Sequence, residues 1–125
     1  MQIVVTLDCV DTEAQAKFWL AALEPLEYRR ALDAPPYLSL TGPASGPTLL
    51  LQQVPEPKQG KNRMHLDLDF GHADLTAEVD RLERLGAQRT TGELTEHGFR
   101  WVVLTDPEGN EFCVFSPPAG TGTAE

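Results

Sequence analysis

The feature that most constrains this chain is a pattern of strands and a helix that is written twice. Ile3, Val5 and Leu7 alternate with Val4, Thr6 and Asp8, the two-residue period of a half-buried strand. Asp11 then stands as the N-cap of a helix predicted over 12–23, with Ala14, Phe18 and Ala21 or Ala22 as its apolar face and Pro25 closing it. Three further strands are expected over 26–32, 37–41 and 48–53, punctuated by Pro35-Pro36 and by a Gly/Pro-rich turn over 42–47. After a polar segment the order begins again. Over 64–70, Leu66, Leu68 and Phe70 alternate with His65, Asp67 and Asp69. Asp74 caps a helix carrying Leu75, Val79, Leu82 and Leu85, and Gly86 ends it as a left-handed C-terminal residue would. Strands over 88–91, 99–104 and 111–115 follow, the last two joined by the turn Asp106-Pro107-Glu108-Gly109-Asn110.

The order βαβββ therefore occurs twice, and the residues repeat with it. Gly46 precedes Leu50 by four positions as Gly109 precedes Cys113. A period of roughly 60 residues marks a duplicated module rather than a solenoid. The fold class expected is α+β, with module one over 1–54, a linker over 55–62 and module two over 63–116, all within one domain. The tail 117–125 is small, polar and Gly/Pro-rich, and is expected to be disordered. Each sheet has one face covered by its helix, so the other face must find a second sheet or a ligand.

Charge and composition narrow the partners. The chain carries 10 Lys and Arg against 19 Asp and Glu, a formal charge of -9. Such a surface repels phosphates, which argues against nucleic acid and allows a cationic or neutral ligand. No stretch approaches the ~18 apolar residues of a membrane span. The N-terminus enters a strand directly, without a basic region or cleavage signal, so a cytoplasmic location is expected. Two cysteines, Cys9 and Cys113, make no disulfide framework.

Four stretches, in order, resemble the vicinal-oxygen-chelate superfamily of glyoxalases, bleomycin-resistance proteins and extradiol dioxygenases, in its glyoxalase-like branch. They are LDCVDTEAQAKFW (Leu7 to Trp19), GKNRMHLDLDF (Gly60 to Phe70), RLERLGA (Arg81 to Ala87) and FRWVVLTDPEGNEFCVF (Phe99 to Phe115). The resemblance implies that the two βαβββ modules form a cup-shaped, half-barrel mixed sheet with the helices on its outer face. It also implies a homodimer in which two modules close each cup. Metal-dependent members take ligands from the first strand of each module and from the last strand. The matching positions here are Val4, His65 and Cys113. Valine cannot bind a metal, and a His/Cys pair falls short of the three or four ligands of a Zn²⁺ site. The expected metal content is therefore none, and so is the expected cofactor content. A rebuilt set of His65, Glu111 and Cys113 is the alternative.

The candidate ligand-binding residues are Thr6, Asp8, His65, Asp67, Asp69, Phe99, Trp101, Val103, Glu111 and Cys113. His65 is either a ligand contact or a histidine hydrogen-bonded within the sheet. Asp67 and Asp69 lie opposite Leu66 and Leu68, and charges are rarely buried unpaired, so that face is wet, paired or in contact with a polar ligand. Arg63 is the candidate partner for them. Asp8 and Thr6 make the corresponding polar face in module one. In relatives the strand before the last turn aims the positions of Phe99, Trp101 and Val103 into the cup. A tryptophan and a phenylalanine there would stack a planar ligand, unless Trp101 is simply core. Trp19 reads as core. Cys113 is a small buried hydrophobe or, with a base such as His65, a nucleophile. His72 and His97 read as surface loop residues.

Two functions are expected from this. The first is capture of a small, aromatic or amphipathic molecule without bond chemistry, the role of drug-sequestering relatives; the balance of residues leans away from an enzyme. The second is a metal-dependent lyase, isomerase or dioxygenase with an altered ligand set, in which the ion polarises vicinal substrate oxygens.

Overall fold

In a computed structural model the described residues are 3–43, 46–71 and 74–118. Residues 44–45 of the Gly/Pro-rich turn, His72 and the tail from 119 onward lie outside them. The described chain is α+β, with two helices and two mixed sheets, neither of which closes into a barrel. It divides into two compact units, Met1–Gln59 and Gly60–Glu125.

The first unit contains strand β1 (Val4–Cys9), helix α1 (Thr12–Ala22), and strands β2 (Arg29–Ala34), β3 (Tyr37–Thr41) and β4 (Thr48–Gln53). The sheet order is β1-β4-β3-β2, with β1 parallel to β4 and the other neighbours antiparallel. Register places Val5 beside Leu49 and Leu7 beside Leu51, with Leu40 and Leu38 next in line. This apolar side meets α1, whose N-cap Asp11 accepts from the Ala14 amide at 3.0 Å. The helix buries Gln15, Ala16, Phe18, Trp19 and Ala22, one turn apart along one stripe. Ala14, expected on that face, is exposed. The inner stripe runs instead through Gln15, because Trp19 rather than Ala14 sets the helix's rotation. Its indole packs edge-to-face on Phe18 at 5.1 Å.

The expected strand from Leu26 does not begin there. Pro25 sits in a single 3₁₀ turn, Glu24–Leu26, closed by the Glu27 amide donating to the Glu24 carbonyl at 2.9 Å. Glu27 then takes a left-handed φ of 62°, which ends any regular pairing, and β2 starts two residues on.

The second unit repeats the plan. Strand β5 (Leu66–Asp69) leads to helix α2 (Leu75–Leu85), then β6 (Gln88–Arg89), β7 (Leu94–Glu96), β8 (Phe99–Thr105) and β9 (Glu111–Ser116). The order β5-β9-β8-β6 matches that of the first unit, with β7 added against β8. Strand β5 is shorter than expected, since Met64 is 80 % exposed and outside the ladder. Leu75, Val79 and Leu82 of α2 are buried, and so are Phe112 and Val114 of β9 and Val102 and Leu104 of β8. These form the unit's core. Asp74 caps α2 through the Thr76 amide at 3.0 Å, and Gly86 closes it at φ 119°.

The turn between β8 and β9 explains its own sequence. The Asp106 carboxylate accepts from the amides of Glu108 (2.9 Å) and Asn110 (3.0 Å) and from the Asn110 side chain. Gly109 supplies the left-handed φ of 88°. Because Asp106 and Asn110 are both buried, the loop is rigidly held, and so is the register of β9 against β8.

Candidate functional site

In the second unit, the sheet face opposite α2 carries the chemistry. Asp67 pairs with Cys113 across β5 and β9, Cys113 with Val103 across β9 and β8, and Trp101 with Phe115 one step along. Across β7 and β8, Leu94 stands beside Trp101 and Glu96 beside Phe99. Side chains on one face repeat every second residue, so these groups share one surface. His65, one residue before β5, continues the same parity.

A cavity of about 490 Å³ opens on this face. Its apolar wall is aromatic, made by Phe99, Trp101 and Phe115, with the Phe99 and Phe115 rings 6.2 Å apart and tilted by 50°. Its polar side is made by His65, Asp67, Cys113, Glu96 and His97. His97 and Gly98 form the two-residue turn of the β7–β8 hairpin, both at positive φ (53° and 83°). That is the backbone of the turn type that Asn-Gly usually fills. A Cβ at Gly98 would lie 3.0 Å from Cβ of Pro118, so the residue is required for close approach as well as for conformation.

His65 Nε2 lies 3.1 Å from Asp67 Oδ1, so Asp67 finds its partner in His65 and not in Arg63. Asp69 Oδ1 accepts from the Gly71 amide at 2.8 Å. Burial pushes the Cys113 thiol up to about 11, and the charge of Asp67 and a hydrogen bond to it act in the same direction; Lys61 offsets part of this. At neutral pH the thiol therefore keeps its proton and is no nucleophile unaided. His65, Asp67 and Cys113 together offer one nitrogen, one oxygen and one sulfur donor, all within 4.8 Å of one another. Three protein donors of this mixed kind match an open Zn²⁺ site in number and type, and match poorly the all-oxygen preference of Mg²⁺ or Ca²⁺. A bound cation would displace the thiol proton.

Five of the residues that the sequence singles out thus meet at the cavity: His65, Asp67, Phe99, Trp101 and Cys113. Val103 shares the face without lining the cavity. Glu111 accepts from the Asn62 amide at 2.9 Å, and Asp67, not Glu111, completes the donor group with His65 and Cys113. Thr6 and Asp8 are exposed on the β1 face of the first unit, away from the helix side. Three lining residues, Phe115, Glu96 and His97, are not among the sequence candidates. Phe115 is legible from its parity with Cys113. Glu96 and His97 carry no such signal, because the stretch Glu96-His97-Gly98 has the composition of a loop.

Over residues 4–115 the sequence matches a family model described as the glyoxalase-like domain. The chain belongs to that family. No curated protein matches it in sequence. Among solved structures, a glyoxalase/bleomycin resistance protein/dioxygenase family enzyme from Burkholderia phytofirmans PsJN is similar at TM-score 0.74 and 16 % identity, over 90 % of this chain and 94 % of that one. A variant of the fosfomycin resistance protein FosX from Listeria monocytogenes, complexed with Mn(II) and 1S,2S-dihydroxypropylphosphonic acid, is similar at TM-score 0.76 and 11 % identity, over 95 % and 91 % of the two chains. FosX from Mesorhizobium loti is similar at 0.73 and 13 %, over 95 % and 93 %. These likenesses show that the chain shares the fold of these proteins and extend no further.

Proposed function

We propose that this glyoxalase-like protein captures a planar aromatic small molecule in the cavity of its second unit, without making or breaking bonds. The observation that carries this is the wall of Phe99, Trp101 and Phe115 around a ligand-sized space of about 490 Å³. Small-molecule sites commonly span roughly 300–1,000 Å³ and pair an apolar wall with a few polar anchors. Here the anchors are His65, Asp67 and Glu96. The protonated Cys113 thiol gives the site no ready nucleophile. Stacking on an indole adds about 0.5–1.5 kcal/mol beyond area burial.

A titration with tricyclic aromatic compounds, followed by tryptophan fluorescence, tests the reading. Quenching should persist in Trp19→Phe and vanish in Trp101→Phe. Trp101→Ala should weaken binding about tenfold or more, which is ~1.4 kcal/mol. Quenching that survives in Trp101→Phe would remove the cavity from consideration.

The donor group His65, Asp67 and Cys113 supports a second reading, a metal-dependent enzyme like the Mn(II)-complexed FosX. These three residues would hold the ion, and a bound ion would supply Lewis-acid polarisation of substrate oxygens. Cobalt(II) titration separates the two readings. A thiolate-to-cobalt absorption band at one equivalent, absent in Cys113→Ser and in His65→Ala, would favour the enzyme. A flat titration would leave capture as the function.

A further inference from the structure

The polar side of the cavity is unequal in charge. Asp67 and Glu96 bring two carboxylates to the lining, and no Lys or Arg side chain lines it. The Lys and Arg residues close by in sequence stand outside the lining. Arg100 has the opposite parity to Phe99 and Trp101 on β8, and its Nε donates to Glu93 at 2.9 Å. Lys61 and Arg63 are exposed and off the lining. Beside Asp67 stand the imidazole of His65 and the Cys113 thiol, and among the described residues no Lys or Arg ion pair engages Asp67 or Glu96. The third element is the aromatic wall. Ring faces carry the negative end of the aromatic quadrupole and attract cations, most strongly for Trp. An anion in this space would meet carboxylates and ring faces together, with no Lys or Arg on the lining to receive it and only the charge of Lys61, off the lining, acting from outside. A cation would meet complementary charge on both sides, in a half-enclosed space where charge interactions are stronger than in open water.

We propose that the cavity selects organic cations built on a flat aromatic body, the rings stacked on Trp101 and the positive centre facing Asp67 and Glu96. The inference rests on the aromatic-capture reading and names the ligand class for that site. Cation and aromatic body are both required, because Phe99, Trp101 and Phe115 offer area while the carboxylates offer the charge preference. The chain's overall charge of -9 also attracts cations, so the test must separate the local carboxylates from that general field.

Three tricyclic probes of matched shape do this at pH 8: N-methylacridinium as cation, acridine as neutral form, and acridine-9-carboxylate as anion. Binding is read by calorimetry and by quenching of Trp101. The cation should bind about tenfold or more tighter than acridine, and the anion weaker than acridine. Glu96→Gln and Asp67→Asn should each weaken the cation by at least about threefold while changing acridine affinity by less than about twofold. Glu83→Gln, which removes one negative charge from the exposed side of α2, behind the opposite face of the same sheet, should leave cation affinity within about twofold, the range expected of a distant screened charge. Equal affinity for cation and acridine, tighter binding of the anion, or an effect of Glu83→Gln as large as that of Glu96→Gln would each overturn the charge preference while leaving aromatic capture standing. If none of the three probes binds, capture and preference fall together.

Discussion

The two units share a strand order and a register, and they put different chemistry at matching positions. In the first unit Thr6 pairs with Leu50, Leu50 with Ser39 and Gln52 with Tyr37. In the second the same ladder positions read Asp67 with Cys113, Cys113 with Val103 and Phe115 with Trp101. Val4 stands where His65 stands. The donor group of the second unit thus corresponds to Val4, Thr6 and Leu50 in the first, which offer one hydroxyl and two aliphatic side chains. The helices differ in the complementary sense. In the first unit α1 carries a tryptophan buried at 1 % exposure, while the second unit builds its core from Leu75, Val79 and Leu82 of α2 and keeps its tryptophan for the open face. The backbone plan sets where side chains can meet; it does not set what they do.

Exchanging the two tryptophans for alanine breaks this comparison most directly. Trp19→Ala should destabilise the protein by about 3–5 kcal/mol, because it empties a sealed core. Trp101→Ala, on a half-buried open face, should cost under about 1.5 kcal/mol in stability, with its main effect on aromatic ligand binding. Urea unfolding of both variants checks this, and comparable losses would mean that Trp101 is a core residue.

A smaller effect separates Cys113 from Leu50. The folded-state thiol is raised from 9.0 to about 11, so the folded protein holds this proton more tightly than the unfolded chain does. The stabilisation it brings is complete below about pH 9 and is lost as pH rises toward about 11. Partial solvation at the cavity reduces the loss to about 1–2 kcal/mol. The difference in unfolding free energy between wild type and Cys113→Ala should narrow over that interval. Asp67→Asn should bring the thiol's midpoint down, as read from thiolate ultraviolet absorbance. A midpoint unmoved by Asp67→Asn would leave burial as the sole cause.

The smallest expected effects are the ones the two units have in common. Asp11→Ala and Asp74→Ala each remove an N-cap bond of 3.0 Å to an exposed helix end. Each should lower stability by about 1 kcal/mol, and the two losses should be similar in thermal unfolding. A large inequality would show that one helix end carries more of its unit's stability than the shared plan implies.

Much of the fold is legible in the sequence because local signals agree with one another. The caps at Asp11 and Asp74, the left-handed Gly86 and the Asp106–Asn110 turn are short-range chemistry, and each lies where the sequence pattern puts it. Strands β3 and β4 have their predicted bounds. Pattern and structure part where two local signals compete. Leu26 fits a strand, but Pro25 favours the 3₁₀ turn that absorbs it. Ala14 and Gln15 both fit a helix face, and only packing against the sheet selects Gln15.

The site divides in the same way. Parity alone puts His65, Asp67 and Cys113, and likewise Phe99 and Trp101, on one face of their own strands, because successive residues of a strand point to opposite sides. Which residues of that face become neighbours is a matter of cross-strand register, and register is a long-range property. It brings Asp67 beside Cys113, turns Glu111 to the Asn62 amide and lets the His97–Gly98 hairpin carry Glu96 to the aromatic wall. Residue order is enough to read off the duplicated plan and the inventory of donors and rings. The partners of each are set on folding, since pairing energies depend on contacts between residues far apart in the chain, which a one-dimensional pattern does not contain.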